Sequence, residues 1–468
     1  NSLGSVSFSN CDVLSEVNLN EGLLSIDGSA FSTCSLLSGV SYPQTLESVG
    51  SNCFSFCISL EYVQFNTNPS FDTISTNCFY NCTSLRELNI PDNITNIEPS
   101  ICYNCDSLSG LDLGNQMITI GSQSFQFCPL LNNIDFPSTL THIYYNCFDG
   151  CTSLETISPF PESLTYIGAS AFKDTALSGL LVIPDAVTYM GDFAFKNTNI
   201  SGVDLGVGIT YLNKGFFSNS ENLEYINLDL VTGIDSNVFD GCFSLSGVAI
   251  PNTMEKIGAY SFRQTAIYDF NIPPLIDYIE DYTFQGCVNL TGITSGVNIT
   301  GIGTSAFDGC TSFLQYYAPN SLKVIEGRSF NNCTSMSGLD LNQVEDIKYD
   351  AFNLCSSLSG LLIIPDSVTK IGTNAFRQTN YSGITIGSGI TKIEDGCFRD
   401  NTSLQFIEIP SGVETIDGAA FRGCSSLSGV VFNEGLRNIN ATFAAYNLYT
   451  GSFQSCSSLS GTIEFPTT

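Results

Sequence analysis

A phenylalanine returns along this chain as Phe8, Phe31, Phe54, Phe79, Phe125, Phe148, Phe172, Phe195, Phe217, Phe239, Phe262, Phe284, Phe307, Phe330, Phe352, Phe376, Phe398, Phe421 and Phe453, with Cys102 filling the one gap. The steps are 22 to 25 residues, apart from one of 32 before Phe453. A period held in phase across 468 residues constrains the fold more than any composition does. Each unit is too small to bury its own apolar face, so neighbours must stack. We therefore expect a β-rich repeat solenoid of about 20 coils, continuous over 1–468, with an insertion at 441–449 in the penultimate repeat.

Aligned on the phenylalanine, the units read F-x-x-C-x-S-L-x-x-L-x-I-P-x-x-V-x-x-I-x-x-x-A. One copy runs from Phe352 through Cys355, Leu358, Leu361 and Pro365 to Val368, Ile371 and Phe376. The L-x-x-L-x-L element, as at Leu108, Leu111 and Leu113, alternates in and out and predicts a short strand. Proline at Pro91, Pro184, Pro251, Pro365 and Pro410 ends that strand because it cannot donate to a ladder. The V-x-x-I stretch predicts a second short strand or an extended turn, and the phenylalanine begins the return. Apolar runs such as Leu361–Pro365 suit buried strands and are too short to span a bilayer. A period of 20–29 residues fits a leucine-rich repeat with little helix; a parallel β-helix is the alternative.

Units such as Phe421-Arg422-Gly423-Cys424-Ser425-Ser426-Leu427 and Ile364-Pro365-Asp366-Ser367-Val368-Thr369-Lys370-Ile371-Gly372 resemble the BspA-like, treponemal-type leucine-rich repeats. The resemblance covers nearly the whole chain. It implies a secreted or surface-displayed protein of bacteria or microbial eukaryotes, linked to adhesion or to binding host or matrix proteins, without a shared catalytic site or defined ligand.

Fourteen of the 19 cysteines sit three residues after the anchor, where Thr175, Thr198, Ser220, Thr265, Thr379 or Asn401 stand in other units. A slot shared by these residue types wants a small side chain that hydrogen-bonds buried backbone, which a reduced thiol satisfies. Four more, Cys53, Cys78, Cys147 and Cys397, precede the anchor. Local bridges such as Cys53–Cys57, Cys78–Cys82 and Cys147–Cys151 are the alternative to free thiols, and an axial row is a poor zinc cluster.

Fifteen Lys+Arg against 45 Asp+Glu give a net charge of −30, yet charged residues are only 13% of the chain. The chain is poor in bases rather than rich in acids. That argues against nucleic acid and against an electrostatic grip on anionic membranes. The one histidine, His142, lies between Leu140 and Ile143 with no nucleophile motif around it, and nothing singles out a pair of carboxylates. No enzyme activity, metal or cofactor is expected.

The residue between the two inward positions of each strand should face out. That slot holds Asn18, Gln64, Asn89, Asp112, Asp135, Asp204, Asn227, Asn271, Asp340, Thr385, Glu408 and Glu464. We take Asn89, Asp112, Asp135, Asp204, Asn227, Asn271 and Asp340 as the expected binding stripe, for a protein or glycan ligand. Nine N-x-S/T sequons, at Asn81, Asn93, Asn199, Asn289, Asn298, Asn332, Asn380, Asn401 and Asn440, are candidate glycosylation sites. The apolar insertion, with Phe443, Tyr446 and Tyr449, is a candidate contact surface or cap. The chain starts and stops in mid-unit, so Leu3, Val6, Ile463 and Phe465 are expected at open strand edges. Joining the ends restores a 23-residue step, which raises a head-to-tail filament as the alternative to a surface adhesin.

Overall fold

The computed structural model describes residues 1–294, 296–444, 448–460 and 462–465; of 442–444 and 448–449 only the backbone is described. Two compact units emerge from the internal contacts, Asn1–Val231 and Thr232–Thr468. Each is a β-solenoid of short parallel strands, and the described residues contain no helix. The turns number about 19, in line with the expectation of about 20.

Each coil has three sides, and each follows from local sequence. The L-x-x-L side is a strand of two to six residues, as in Gly39–Ser41 paired with Tyr62–Gln64, or Gln315–Tyr317 paired with Gly338–Asp340. The V-x-x-I side is a strand of two residues, one in and one out. Five of these stack from Asn96–Ile97 to Tyr189–Met190 in the first unit, and five from Tyr278–Ile279 to Lys370–Ile371 in the second.

The third side carries the anchors, and here left-handed residues recur four apart. Positions two before and two after the anchor are left-handed: Ser29 and Thr33 around Phe31, Asn52 and Phe56 around Phe54, Asn374 and Gln378 around Phe376. Alternate amides then point along the stack, so three N–H groups reach the next coil, while Ser32 and Cys34 donate within their own coil to Ser29 and Phe31. Ser29 donates to the Ser51 carbonyl at 2.9 Å, Phe31 to Cys53 at 2.9 Å and Thr33 to Ser55 at 2.7 Å. A left-handed L-residue costs roughly 1–2 kcal/mol, least for Asn, Asp and Gly. That explains the Asn at 52, 77, 81, 104, 146, 197, 219, 237, 332 and 374, a signal the periodic reading passed over.

Inside, the anchor rings stack. In the first unit Phe8–Phe31, Phe31–Phe54 and Phe172–Phe195 lie 5.3–5.4 Å apart and within 6° of parallel. In the second, Phe307–Phe330, Phe330–Phe352 and Phe352–Phe376 lie 5.1–5.3 Å apart. The cysteines form a second ladder beside the rings, as free thiols. Slot thiols donate to the anchor carbonyl of the preceding coil, as Cys57 does to Phe31, Cys82 to Phe54 and Cys310 to Phe284, all at 3.1 Å. Ser220 and Asn401 keep that bond, Oγ to the Phe195 carbonyl at 3.1 Å and Nδ2 to that of Phe376 at 2.8 Å, whereas Thr175, Thr198, Thr265 and Thr379 donate to the anchor carbonyl of their own coil. The slot exists to satisfy a buried carbonyl, which is expensive to leave unpaired.

One register shift breaks the rhythm in each unit. The strand Ser178–Val182 shifts against Asn199–Asp204 at Gly179/Leu180, and Ser359–Ile363 shifts against Asn380–Thr385 at Gly360/Leu361. Gly179 and Gly360 are left-handed (φ 78 and 79°) and sit at the shift, where the facing strand carries one extra residue, Ser201 or Ser382. A one-residue slip swaps the faces. Leu362 is therefore buried while Leu361 and Ile363 are 61% and 62% exposed. This corrects the reading of Leu361 as a core position and of Leu361–Pro365 as a buried run.

The insertion is a local antiparallel pair, Ala441–Ala444 with Leu448–Gly451, in register Phe443↔Tyr449. Tyr446 lies outside the described residues.

Candidate functional site

The exposed side of the L-x-x-L strands presents two columns of side chains, one on either side of the buried leucine. In the first unit the leading column reads Gly39, Tyr62, Glu87, Gly110, Asn133, Thr156, Leu180, Gly202, Tyr225, and the trailing one Ser41, Gln64, Asn89, Asp112, Asp135, Ser158, Val182, Asp204, Asn227. In the second unit the leading column holds Asp269, Gln315, Leu361 and Phe406 among glycines, and the trailing one Asn271, Thr294, Tyr317, Asp340, Ile363, Thr385, Glu408 and Val431. All seven stripe residues, Asn89, Asp112, Asp135, Asp204, Asn227, Asn271 and Asp340, are exposed on this face. No Lys or Arg occupies any of these positions.

The recurring glycine has a steric cause. A Cβ on Gly39 would meet the Tyr62 ring at 2.2 Å, because that ring lies across the neighbouring coil. Large side chains thus lie over glycines, and the sheet surface becomes furrowed. Three depressions result. One of about 570 Å³ is lined by Tyr62, Gln64, Glu87, Asn89 and Asp112. Another of about 800 Å³ is floored by Gly292 and walled by Asp269, Asn271, Gln315 and Tyr317. The third, about 530 Å³, lies over Gly383 between Leu361 and Phe406, with Thr385 and Glu408 beside it. By contrast, a depression beside Tyr144 on the V-x-x-I side measures about 360 Å³.

The face is not uniformly polar. Leu180 (59%), Val182 (52%) and Tyr225 (51%) interrupt it in the first unit. Tyr317, Leu361, Ile363, Phe406 and Val431 interrupt it in the second. Two of these clusters are the same cluster. Residues 177–228 and 358–409 align without a gap and are identical at 25 of 52 positions. This duplication is legible in the sequence once the units are compared eight apart instead of one apart.

Carboxylates elsewhere serve the coils themselves. Asp366, after Pro365, accepts from the Ser388 amide at 2.7 Å and hydroxyl at 2.9 Å, which holds its carboxyl below the usual range. Asp185 and Asp92 accept in the same way from Val207 and Asn115. Asp240 grips Arg263 through two oxygens at 2.6 and 2.8 Å. His142 donates to or accepts from the Thr141 hydroxyl at 2.8 Å and stacks near Tyr144 and Tyr166.

The remaining candidates separate. Among the sequons Asn199, Asn289, Asn298, Asn380 and Asn440 are exposed, and Asn81, Asn93 and Asn332 are half-buried. Asn401 is fully buried in the cysteine slot, its amide spent on the Phe376 and Phe398 carbonyls, so it is no glycan acceptor. Leu3 is half-buried and Val6 is 61% exposed. Ile463 and Phe465 line an apolar depression of about 520 Å³ with Phe432 and Phe453. No helix is long and apolar enough to cross a membrane among the described residues.

Comparison with known proteins adds the following. The profile of the BspA type leucine rich repeat region matches residues 1–130, 72–181, 179–291, 232–359 and 357–467. No curated protein matches significantly. Among solved structures the chain is similar to a leucine-rich repeat protein from Bacteroides ovatus, with 22% identity over 93% of this chain and 81% of that one and a TM-score of 0.43. It is also similar to a leucine rich cell surface protein from Faecalibacterium prausnitzii (21%, 96% and 85%, TM-score 0.26). A third is the T. pallidum leucine rich repeat protein (24%, 41% and 78%, TM-score 0.30).

Proposed function

This chain belongs to the BspA-type leucine-rich repeat family, and from that premise we propose that it is a non-catalytic scaffold that binds a protein or glycan through the exposed face of its L-x-x-L strands. The observation that carries the reading is the furrowed face itself: three depressions of about 530 to 800 Å³, each pairing an aromatic ring with short carboxylates or amides. Such pairing offers an apolar surface and hydrogen-bonding groups at once, the usual make-up of a recognition site. The absence of basic side chains on the columns favours ligands without strong negative charge. Surface display, which the family resemblance implies, gives the setting for adhesion, with exposed sequons such as Asn199, Asn289 and Asn380 as glycan acceptors if the cell glycosylates.

The test is an array of matrix proteins and glycans probed with the full chain and with a variant carrying alanine at Asn89, Asp112, Asp135, Asn271 and Asp340. Partners captured by the wild type should bind the variant at least roughly tenfold more weakly. Equal capture by both would move the binding surface off this face. Antibody labelling of intact cells of the source organism should be positive; labelling only after permeabilisation removes the adhesion reading.

A further inference from the structure

An exposed leucine alone needs no explanation. Three large apolar side chains placed together, twice, in the same register do. In each unit the strand at the register shift turns two aliphatic side chains out of the sheet, Leu180 and Val182 or Leu361 and Ile363. The next coil contributes glycine opposite the leucine, Gly202 or Gly383, and the leucine leans over it, its Cδ1 only 3.2 Å from where a Cβ would stand. The coil after that sets an aromatic ring in the same column, Tyr225 or Phe406, paired Gly202↔Tyr225 and Gly383↔Phe406. The bulge glycine, the floor glycine and the leading leucine are identical in the two copies, and the other two positions keep their character.

We propose that each unit carries one copy of the same docking site, and that both take one kind of partner: an extended polypeptide segment whose apolar side chains alternate with lysine or arginine. The proposal rests on the reading of this face as the binding surface. Charge selects the partner. Asp204 and Glu224 border the first platform in the chain and Glu408 the second, and no base lies on either set of strands. A partner with apolar groups alone would leave those carboxylates uncompensated, and an anionic one would be repelled. Paired aliphatic side chains offer a glycan no hydrogen bond, and the acidic border disfavours an anionic lipid surface. An extended segment presents alternate side chains to one face, which suits a furrow with an aliphatic wall, a glycine floor and an aromatic wall.

The test is calorimetric titration of the full chain with a synthetic peptide of alternating lysine and leucine, against lysine–serine and glutamate–leucine controls. The lysine–leucine peptide should saturate two equivalent sites. L180S/Y225A and L361S/F406A should each leave one site, and the combined variant should bind roughly tenfold more weakly or not at all. Melting profiles should be unchanged, because all four residues are half or more exposed. Two sites retained in both paired variants, equal binding of the lysine–serine peptide, or binding of the chain to neutral phosphatidylcholine vesicles in place of the peptide would each overturn the proposal. If arrays identify a partner whose capture needs Asn89, Asp112 or Asn271 but ignores both platforms, this inference falls while the reading of the face stands.

Discussion

Segment 177–228 of the first unit and segment 358–409 of the second are the same two coils written twice, and what they keep differs from what they change. Both keep the outward platform and the stacked anchors Phe172–Phe195 (5.3 Å) and Phe352–Phe376 (5.2 Å), which lead into it. Both also lack cysteine at two consecutive slots, where Thr198 and Ser220 face Thr379 and Asn401. The chemistry inside the slot has drifted, because any donor of the right reach satisfies the carbonyl. The polar border has drifted too, from Asp204 and Asn227 to Thr385 and Glu408. Backbone demands fix geometry and leave the identity of the donor free, whereas the exposed platform, which no fold requirement protects, has stayed apolar.

The largest effect should fall on the shared core. Phe195 and Phe376 are both fully buried between flanking rings. Phe195→Ala and Phe376→Ala should each cost about 3–5 kcal/mol, read as a loss of urea midpoint. If the two segments are equivalent, the two losses match; a tolerated Phe376→Ala alone would break the comparison.

Next comes alkali. Burial pushes the thiols of Cys57 and Cys151 up to about 12 and that of Cys287 to about 11, from an ordinary 9.0. A thiol whose folded value is raised contributes stability fully present below the unfolded value and lost as pH climbs through the folded one. The urea midpoint should therefore hold to about pH 9 and fall towards about pH 12. The duplicated segments escape this term at their thiol-free slots. Cys57→Thr with Cys151→Thr, copying Thr198 and Thr379, should flatten part of the fall; an unchanged slope would show that the ladder thiols do not set it.

The slots themselves give a smaller and more discriminating contrast. Asn401 donates to two carbonyls, Phe376 and Phe398, at 2.8 and 3.0 Å and accepts from Thr379 at 2.5 Å, while Ser220 donates to one, Phe195, at 3.1 Å and meets the Thr198 amide and hydroxyl at 3.3 and 3.0 Å. Asn401→Ala should cost about 2–3 kcal/mol and Ser220→Ala about 1 kcal/mol. Asn401→Cys, which restores the common residue, should recover most of the loss. Equal costs for the two alanine variants would mean that the second carbonyl bond of Asn401 contributes nothing.

Asn401 also shows where the sequence was readable and where it was not. Its place in the anchor frame identified it as a slot residue, while the local Asn-x-Ser motif identified it as a glycan acceptor. Only the first survives, because burial is set by the repeat and a sequon says nothing about it. The anchors, the slot and the polar trailing column were legible because stacking copies them coil after coil. The bulge at Gly360 was not. The leucine spacing L-x-x-L runs intact from Leu358 to Leu361, yet Leu358 stays buried while Leu362, not Leu361, takes the second inward place. The platform therefore hid behind a pattern that looked like core.

The smallest effect should come from exchanging the two platforms. Tyr225 and Phe406 hold equivalent positions at 51% and 50% exposure and differ by a hydroxyl. Tyr225→Phe and Phe406→Tyr should leave stability within about 0.5 kcal/mol, as exposed substitutions do. If the two sites take the same partner by apolar contact, the exchanged chain should also keep the peptide affinity of the parent at both sites. A hydroxyl that hydrogen-bonds the partner would instead weaken the first site and strengthen the second. The signs are opposite, so a titration resolving the two sites reads them separately. A matched pair of opposite shifts would mean that the copies have begun to diverge in what they select, with the change at Asp204/Thr385 and Asn227/Glu408 as the next positions to exchange.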